Sequence, residues 1–157
     1  MRISSPAFEP NQMIPEVYTC EGQNTNPPLE ISDVPQNAES LTLIMDDPDA
    51  ATDPDGPGKT FTHWMIWNIP PNTRNIDAEN ITSQAIQGIN DSEKVGYTGP
   101  CPPNGTHRYF FKLYALNRKL DLTPNVTNQE LEREINNSMI VKAELVGLYS
   151  KKNGSSK

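Results

Sequence analysis

The stretch Tyr97-Thr-Gly-Pro-Cys-Pro-Pro-Asn-Gly-Thr-His107-Arg-Tyr109-Phe-Phe-Lys-Leu-Tyr-Ala-Leu116 joins a stiff loop to an aromatic strand. The prolines at positions 100, 102 and 103 each fix φ and remove a backbone donor, which argues against helix or central strand in the first half. In the second half, strict alternation places His107, Tyr109, Phe111 and Leu113 on one face. Functional sites are often built from rigid loops at strand ends. The stretch therefore predicts a histidine and a tyrosine side by side at the mouth of a strand.

The composition favours one small β domain. Hydrophobic residues make up 34% of the 157 residues and the mean hydropathy is −0.65, so the core is modest and the surface polar. The 15 prolines are about twice the usual share, and they favour short strands joined by stiff loops over a helical bundle. We expect one domain over residues 1–150, followed by a polar tail over residues 151–157.

The net charge limits the classes of binding partner, and the two cysteines bear on the cellular compartment. A net charge of −7 repels nucleic acid phosphates and anionic lipid surfaces, so neither is an expected partner. The N-terminus has no apolar signal core and no run reaches membrane-spanning length, which predicts a cytoplasmic protein without integral membrane association. Cys20 and Cys101 lack a metal-type C-x-x-C pairing, and in a reducing cytoplasm they are most simply free thiols. A disulfide between them is the alternative that the sequence leaves open.

Hydrophobic patterns predict seven or eight short strands and one helix. In the strand over residues 61–69, alternation places His63, Met65, Trp67 and Ile69 on one face. Thr127 followed by Glu130 is a capping-box pattern that begins a helix over residues 128–140. Residues 72–96 are expected to be irregular, with one short helical turn. The other predicted strands cover residues 3–8, 29–31, 40–46, 107–116 and 142–149. These elements indicate a mainly β, antiparallel, two-layered fold with a helix docked outside.

The histidines and an acidic turn suggest a polar site. His63 and His107 are the only two histidines, and Asp46-Asp47-Pro48-Asp49 ends the most hydrophobic strand. Asp47 and Asp49 are expected to accept hydrogen bonds from the imidazoles and from the Tyr109 hydroxyl. Such a group of donors would bind a small anion, and phosphate is the natural candidate. Three alternatives stay open: a self-satisfied polar cluster, a metal site of two histidines and two aspartates, and a nucleophilic Cys101 with a histidine base.

At these residues the chain resembles the phosphatidylethanolamine-binding protein family, also called Raf kinase inhibitor proteins, and most closely its bacterial and archaeal branch. The similarity runs through most of the chain. It rests on Ile14-Pro-Glu-Val-Tyr-Thr-Cys-Glu-Gly, Asn26-Pro-Pro-Leu, Asp46-Asp-Pro-Asp-Ala, His63-Trp with Asn68-Ile-Pro, Gly96-Tyr-Thr-Gly-Pro-Cys-Pro-Pro, His107-Arg-Tyr, Leu113-Tyr-Ala-Leu and Leu145-Val-Gly-Leu-Tyr.

The resemblance implies a fold, a pocket and several kinds of partner. The implied fold is two antiparallel sheets packed as a sandwich, with one or two peripheral helices. The implied pocket takes phosphate-like groups, including phospholipid head groups and phosphorylated side chains, without a cofactor or a resident metal. Eukaryotic members of the family inhibit kinases or proteases, and prokaryotic members often form homodimers. Carried over by motif, the pocket consists of Asp47, Asp49, His63, Cys101, Pro102, Pro103, His107 and Tyr109.

Three functions follow from these observations. The first is a non-enzymatic protein that binds phosphate-like anions and regulates a kinase or protease. The second is a hydrolase or metal-dependent phosphoesterase that uses His63, His107 and the aspartates. The third is a scaffold with a vestigial pocket. The sequence shows neither a nucleophile elbow nor a glycine-rich phosphate loop, which favours the first function over the second.

Overall fold

The computed structural model describes residues 1–152 and contains two antiparallel β-sheets. A three-stranded sheet has the order β1-β2-β5, and a five-stranded sheet has the order β6-β4-β3-β7-β8. The predicted mainly β, two-sheet fold is therefore confirmed. The strands are β1 (Arg2–Ser4), β2 (Leu29–Ser32), β3 (Ser40–Asp47), β4 (Phe61–Ile69), β5 (Asn75–Ile76), β6 (Ile86–Gln87), β7 (His107–Leu116) and β8 (Met139–Tyr149).

The five-stranded sheet is covered on both faces, which explains its nearly continuous hydrophobic strands. All eight residues of β3 are buried, because β3 lies at the centre of the sheet between β4 and β7. One core cluster fills the space between the two sheets and includes Ile31, Trp64 and Phe111. A second, smaller cluster lies on the opposite face and includes Trp67. The sheet thus forms the middle layer of the molecule.

The helix α1 (Asn128–Ser138) covers the second face of that sheet. The predicted capping box is present, since the Thr127 side chain accepts from the Glu130 N–H and the Glu130 side chain accepts from the Thr127 N–H. Leu131 and Ile135 are buried one turn apart and anchor the helix. The helix ends earlier than predicted because Met139 is already extended and begins β8. Within residues 1–152, no helix combines the length and the apolar character needed to cross a membrane.

Strand β4 departs from strict alternation at Asn68. This residue has a φ of 58°, and its side chain donates to the Leu120 carbonyl and accepts from the Leu120 N–H, both at 2.8 Å. The irregularity turns Ile69 into the core between the sheets, together with Trp64, while Trp67 lies on the other face. The predicted shared face of β4 is therefore wrong at Ile69, because a period of two cannot anticipate a residue with positive φ. It is also wrong at His63, which lies beside Tyr109 on the same side as Trp64, because the pairing of β3 with β4 shifts register at this point.

The remaining differences from prediction lie in the loops. Residues 72–96 contain the two short strands β5 and β6 and no helical turn, so the predicted turn is wrong. Strand β1 ends at Ser4, short of the predicted residue 8, and Pro6 follows two residues later. Of the predicted tail, residues 153–157 lie outside the described part. Lys152 is described, and it pairs with Glu16 at 2.9 Å.

Candidate functional site

A cavity of about 180 Å³ lies at one end of the five-stranded sheet. Antiparallel pairing brings the end of β3 and the starts of β4 and β7 to this edge, and the loops around residues 50–57 and 98–103 complete the walls. Asp49 is the one predicted site residue that does not line this cavity. The predicted site residues that do line it are Asp47, His63, Cys101, Pro102, Pro103, His107 and Tyr109.

His107 is held between two carboxylates. Its Nδ1 lies 2.6 Å from Asp47 Oδ2 and its Nε2 lies 2.8 Å from Asp53 Oδ2. Carboxylates only accept hydrogen bonds, so both ring nitrogens carry protons and the ring is charged. Burial opposes this charge, but the hydrogen bonds to Asp47 and Asp53 outweigh it and raise the pKa of His107. The predicted Asp47–imidazole contact is present, and the ring has no N–H left for a ligand.

Asp53 was not predicted as a site residue, although a repeated pattern marks it. Asp53-Pro-Asp55 repeats the spacing of Asp47-Pro-Asp49 six residues earlier. The Asp53 side chain accepts from the Asn104 N–H at 3.1 Å and from Asn104 Nδ2 at 2.8 Å. The Asn104 amide and the Asp55 N–H are the main causes that lower the pKa of Asp53 to about 2. Asp53 is therefore a carboxylate under the conditions of a cell.

His63 stands in the opposite electrostatic situation. Its Nδ1 lies 2.6 Å from the Thr98 carbonyl oxygen, which can only accept, so Nδ1 carries the proton. Burial lowers the pKa of His63 and favours the neutral ring. Its Nε2 has no hydrogen-bond partner within residues 1–152 and is an acceptor in the neutral ring. Thr98, which was not predicted as a site residue, thus fixes the tautomer of His63.

Tyr109 contributes an unused donor. Its hydroxyl is buried, lies near the Asp47 carboxylate and the Cys101 backbone, and makes no hydrogen bond of normal geometry within the described residues. Burial raises the pKa of Tyr109, so the phenol stays protonated. A buried polar group without a partner is costly and is often explained by a bound molecule. Asp47, one of the acceptors expected for this hydroxyl, lies close to it without the geometry of a normal hydrogen bond.

The carboxylates of the acidic turn point in different directions. Asp46 lies on the other side of the sheet and pairs with Lys112 at 2.9 Å. Asp49 accepts from the backbone N–H of Arg108 and from its guanidinium at 2.8–3.0 Å. The hydrogen bond from Arg108 is the largest cause that lowers the pKa of Asp49. Asp49 therefore contacts neither histidine, and of this turn only Asp47 reaches the cavity.

The two cysteines form a disulfide at the rim of the cavity, and their Cα atoms lie 5.5 Å apart. The prediction of free thiols is therefore wrong. Backbone contacts set up the bridge, since the Cys20 N–H donates to the Pro100 carbonyl at 3.1 Å. Gly99 permits this approach, because a Cβ there would lie 2.3 Å from the Tyr18 carbonyl oxygen. The cysteines are 81 residues apart in the chain, so local pattern gave no signal of the pairing.

The site as a whole combines one charged ring, one neutral ring and one unpaired phenol. Cys101 has no thiolate to act as a nucleophile while the disulfide is intact. Within residues 1–152, no group of three or more histidine, cysteine or acidic side chains is arranged so that it could hold a metal ion. The groups left for a ligand are the Tyr109 O–H donor and the His63 Nε2 acceptor.

Comparison with known proteins identifies similar chains. A family model described as phosphatidylethanolamine-binding protein matches residues 4–150. A UPF0098 protein of Methanothermobacter thermautotrophicus is 44% identical over 154 residues, which cover 95% of this chain and 98% of that protein. Among solved structures, a phosphatidylethanolamine-binding protein homologue from Chlamydia trachomatis has a TM-score of 0.87 and 38% identity, covering 96% of this chain and 97% of that one. Escherichia coli YbcL, described as a member of the mammalian family, has a TM-score of 0.85 and 28% identity, covering 96% and 98%.

Proposed function

Because the chain belongs to the phosphatidylethanolamine-binding protein family, as its motifs predicted, we propose that its cavity binds a small phosphate-like oxyanion without catalysing a reaction. The observation that carries this proposal is the buried hydroxyl of Tyr109, which has no hydrogen-bond partner among residues 1–152. Tyr109 lines the same cavity as His63. A bound oxygen atom would supply the missing acceptor. The donor is fixed in place, so little ordering is needed on binding.

The pairing of a donor with an acceptor selects the protonation state of the ligand. A phosphate that keeps one proton can donate it to His63 Nε2 and accept the Tyr109 O–H with another oxygen. A cavity of about 180 Å³ suits a head group of this size better than a drug-sized molecule. The net charge of −7 attracts no anion from a distance, so this local pairing has to hold the ligand.

The enzymatic alternative finds less support in the geometry. A hydrolase would need an activated nucleophile or a free general base beside the ligand. Cys101 is bonded to Cys20, and both nitrogens of His107 are engaged by carboxylates. His63 Nε2 is the remaining basic atom at the cavity, and its low pKa makes it a weak base.

Several expectations stay predictions. A kinase or protease partner and a homodimer follow from the family resemblance alone, and no contact described above tests them. The cytoplasmic location also stays a prediction. The disulfide bears on it, because thiols are generally kept reduced in the cytosol.

An NMR titration of the two histidine rings with inorganic phosphate and phosphoethanolamine tests the proposal. The His63 signals should shift saturably. Tyr109→Phe should weaken phosphate binding by about tenfold, the usual worth of a hydrogen bond to a charged group. Tyr114→Phe is the matched control, because Tyr114 packs on the other face of the sheet. Sulfate, which has the same shape and no proton at neutral pH, should bind less tightly than phosphate.

Two results would contradict the proposal. The first is the absence of any saturable shift at His63, which would make the cavity a self-contained polar cluster. The second is a Tyr109→Phe variant that binds phosphate as tightly as the Tyr114→Phe control does. In that case the unpartnered hydroxyl would have no part in binding.

A further inference from the structure

We propose that the Asp53 carboxylate is an internal ligand of His107, and that an incoming oxyanion binds by displacing it. This inference rests on the proposed function and extends it to the other side of His107. Asp53 does not line the cavity itself; it lies in an adjoining groove with Asn104, and His107 borders both spaces. The Asp53 carboxylate lies 2.8 Å from Nε2 of a charged ring, which is the contact that a bound oxyanion would make. The Asp53 side chain is only 2% exposed, so the contact is shielded from water.

The two carboxylates on His107 differ in how firmly the fold holds them. Asp47 is the last residue of the buried strand β3, and its Oδ1 also caps the turn that follows by accepting from the Asp49 and Ala50 N–H groups. Asp53 belongs to the loop between that turn and β4, where no strand pairing restrains the backbone. Displacing Asp47 would break the capped turn and the strand end. Displacing Asp53 would break its hydrogen bonds from the Asp55 and Asn104 N–H groups and from Asn104 Nδ2, but it would leave every strand end in place.

Asn104 holds Asp53 in its inward position. Its backbone N–H and its Nδ2 both donate to Asp53, and Nδ2 also donates to Asp55 Oδ2 at 2.8 Å. Asn104 itself is exposed and lies in the loop just before β7. These contacts join the two loops that flank the cavity, so the release of Asp53 also releases the loop of residues 51–60 from its neighbour.

Charge balance limits what can take the place of Asp53. With Asp47 and Asp53 both bound, the charged ring of His107 is already surrounded by two negative charges. A singly charged oxyanion that replaces one of them leaves the local charge unchanged. A doubly charged one adds repulsion from Asp47 in a chain that already carries a net charge of −7. The inferred ligand class is therefore the singly charged oxyanion that keeps one proton, such as a monoprotonated phosphate monoester.

Isosteric charge removal tests the inference. Dissociation constants for inorganic phosphate would be measured by calorimetry at pH 6, where the singly charged form dominates. Asp53→Asn removes the competing charge and should tighten binding by about tenfold, the worth of one charge-assisted hydrogen bond. Asp55 lines the cavity without contacting His107, and Asp55→Asn removes an equal charge while both hydrogen bonds from Asn104 to Asp53 remain, so it should change binding by less than about threefold. Asn104→Ala leaves the carboxylate in place and removes one of its hydrogen bonds, the one from Asn104 Nδ2, so it should give an intermediate gain.

The outcomes separate the inference from the proposed function. Tighter binding by Asp53→Asn than by Asp55→Asn, with a gain from Asn104→Ala, supports displacement. Equal gains from the two aspartate variants would mean that only the overall charge matters, and the inference would fail while the anion site stands. Binding by the unaltered chain with no gain from Asp53→Asn would overturn it in the same way. If neither the unaltered chain nor any variant binds phosphate, the proposed function fails and the inference falls with it.

Discussion

His63 and His107 form opposite walls of one cavity, with the Tyr109 ring 5.3 Å from the first and 6.4 Å from the second. The His63 wall is held by the backbone of the Gly-Pro loop, through the carbonyl of Thr98. The His107 wall is held by carboxylate side chains. A carbonyl cannot compensate a buried charge as a carboxylate does, so one ring is neutral and the other is charged. Burial disfavours the charge on both rings, and the comparison teaches that two carboxylates outweigh it at His107 whereas a single carbonyl does not at His63.

Removing the disulfide should have the largest effect, and it should fall on the His63 wall. The Cys20→Ser/Cys101→Ser double variant loses a bridge that closes a loop of 81 residues, which should lower the free energy of unfolding by about 4 kcal/mol. Urea denaturation would measure this loss. Because Cys101 and Thr98 belong to the same loop, the NMR signals of His63 should move more than those of His107. Larger changes at His107 would mean that the two walls are not held independently.

Asp47→Asn should have the next largest effect, on the His107 wall. It removes the charge of one partner from a buried ion pair, which should lower the free energy of unfolding by about 3 kcal/mol. Asp49→Asn is the matched control in the same turn. Its partner Arg108 is largely exposed, so the loss should stay below about 1 kcal/mol. Similar losses for both variants in urea denaturation would refute the assignment of the buried pair to Asp47.

The pH dependence should differ in sign between the two walls. His107 has a raised pKa in the fold, so its stabilising charge is fully present below the unfolded value of about 6.5 and is lost as the pH rises through the folded value. His63 has a lowered pKa, so its contribution is present above about 6.5 and is lost as the pH falls toward the folded value. Histidine NMR should show a midpoint above 6.5 for His107 and below 6.5 for His63.

Asp53→Asn sharpens that test. Loss of one carboxylate should lower the midpoint of His107 and leave His63 titrating below it. Coincident midpoints in the unaltered chain would remove the comparison altogether, since they would show that the carboxylates and the carbonyl have the same effect on their rings.

The sequence predicted the features that depend on neighbours in the chain. The bounds of β4 and the capping box of α1 follow from residues within a few positions of one another, and both are confirmed. The meeting of His63, His107 and Tyr109 at one sheet edge also followed, because these residues lie near strand ends, although strict alternation placed His63 on the wrong face. Local patterns predicted only that the fold has two layers. The resemblance to the family motifs predicted the sandwich of two antiparallel sheets.

The predictions that were wrong or missing concern contacts between distant parts of the chain. The pairing of Cys20 with Cys101 and the contact of Asp53 with His107 join residues 81 and 54 positions apart. Asp53 lies among turn-forming residues, whose local role explains their presence without any long-range contact. The predicted contact of Asp49 with a histidine was wrong for a related reason, since its actual partner lies 59 positions away in the chain. That partner is Arg108, which follows His107 in the chain. Its charged guanidinium offers Asp49 two aligned donors and is therefore a stronger partner than an imidazole.

The direct passage from α1 into β8 affects how the molecule opens. Ser138 ends the helix and Met139 begins the strand, with no linker between them that could absorb a movement. The Ser138 carbonyl also accepts from the Asn117 N–H at 2.8 Å, just beyond the end of β7. The helix therefore cannot leave the sheet without pulling the first residues of β8 from β7. Helix and strand should exchange their amide hydrogens as one cooperative unit, with a shared opening free energy.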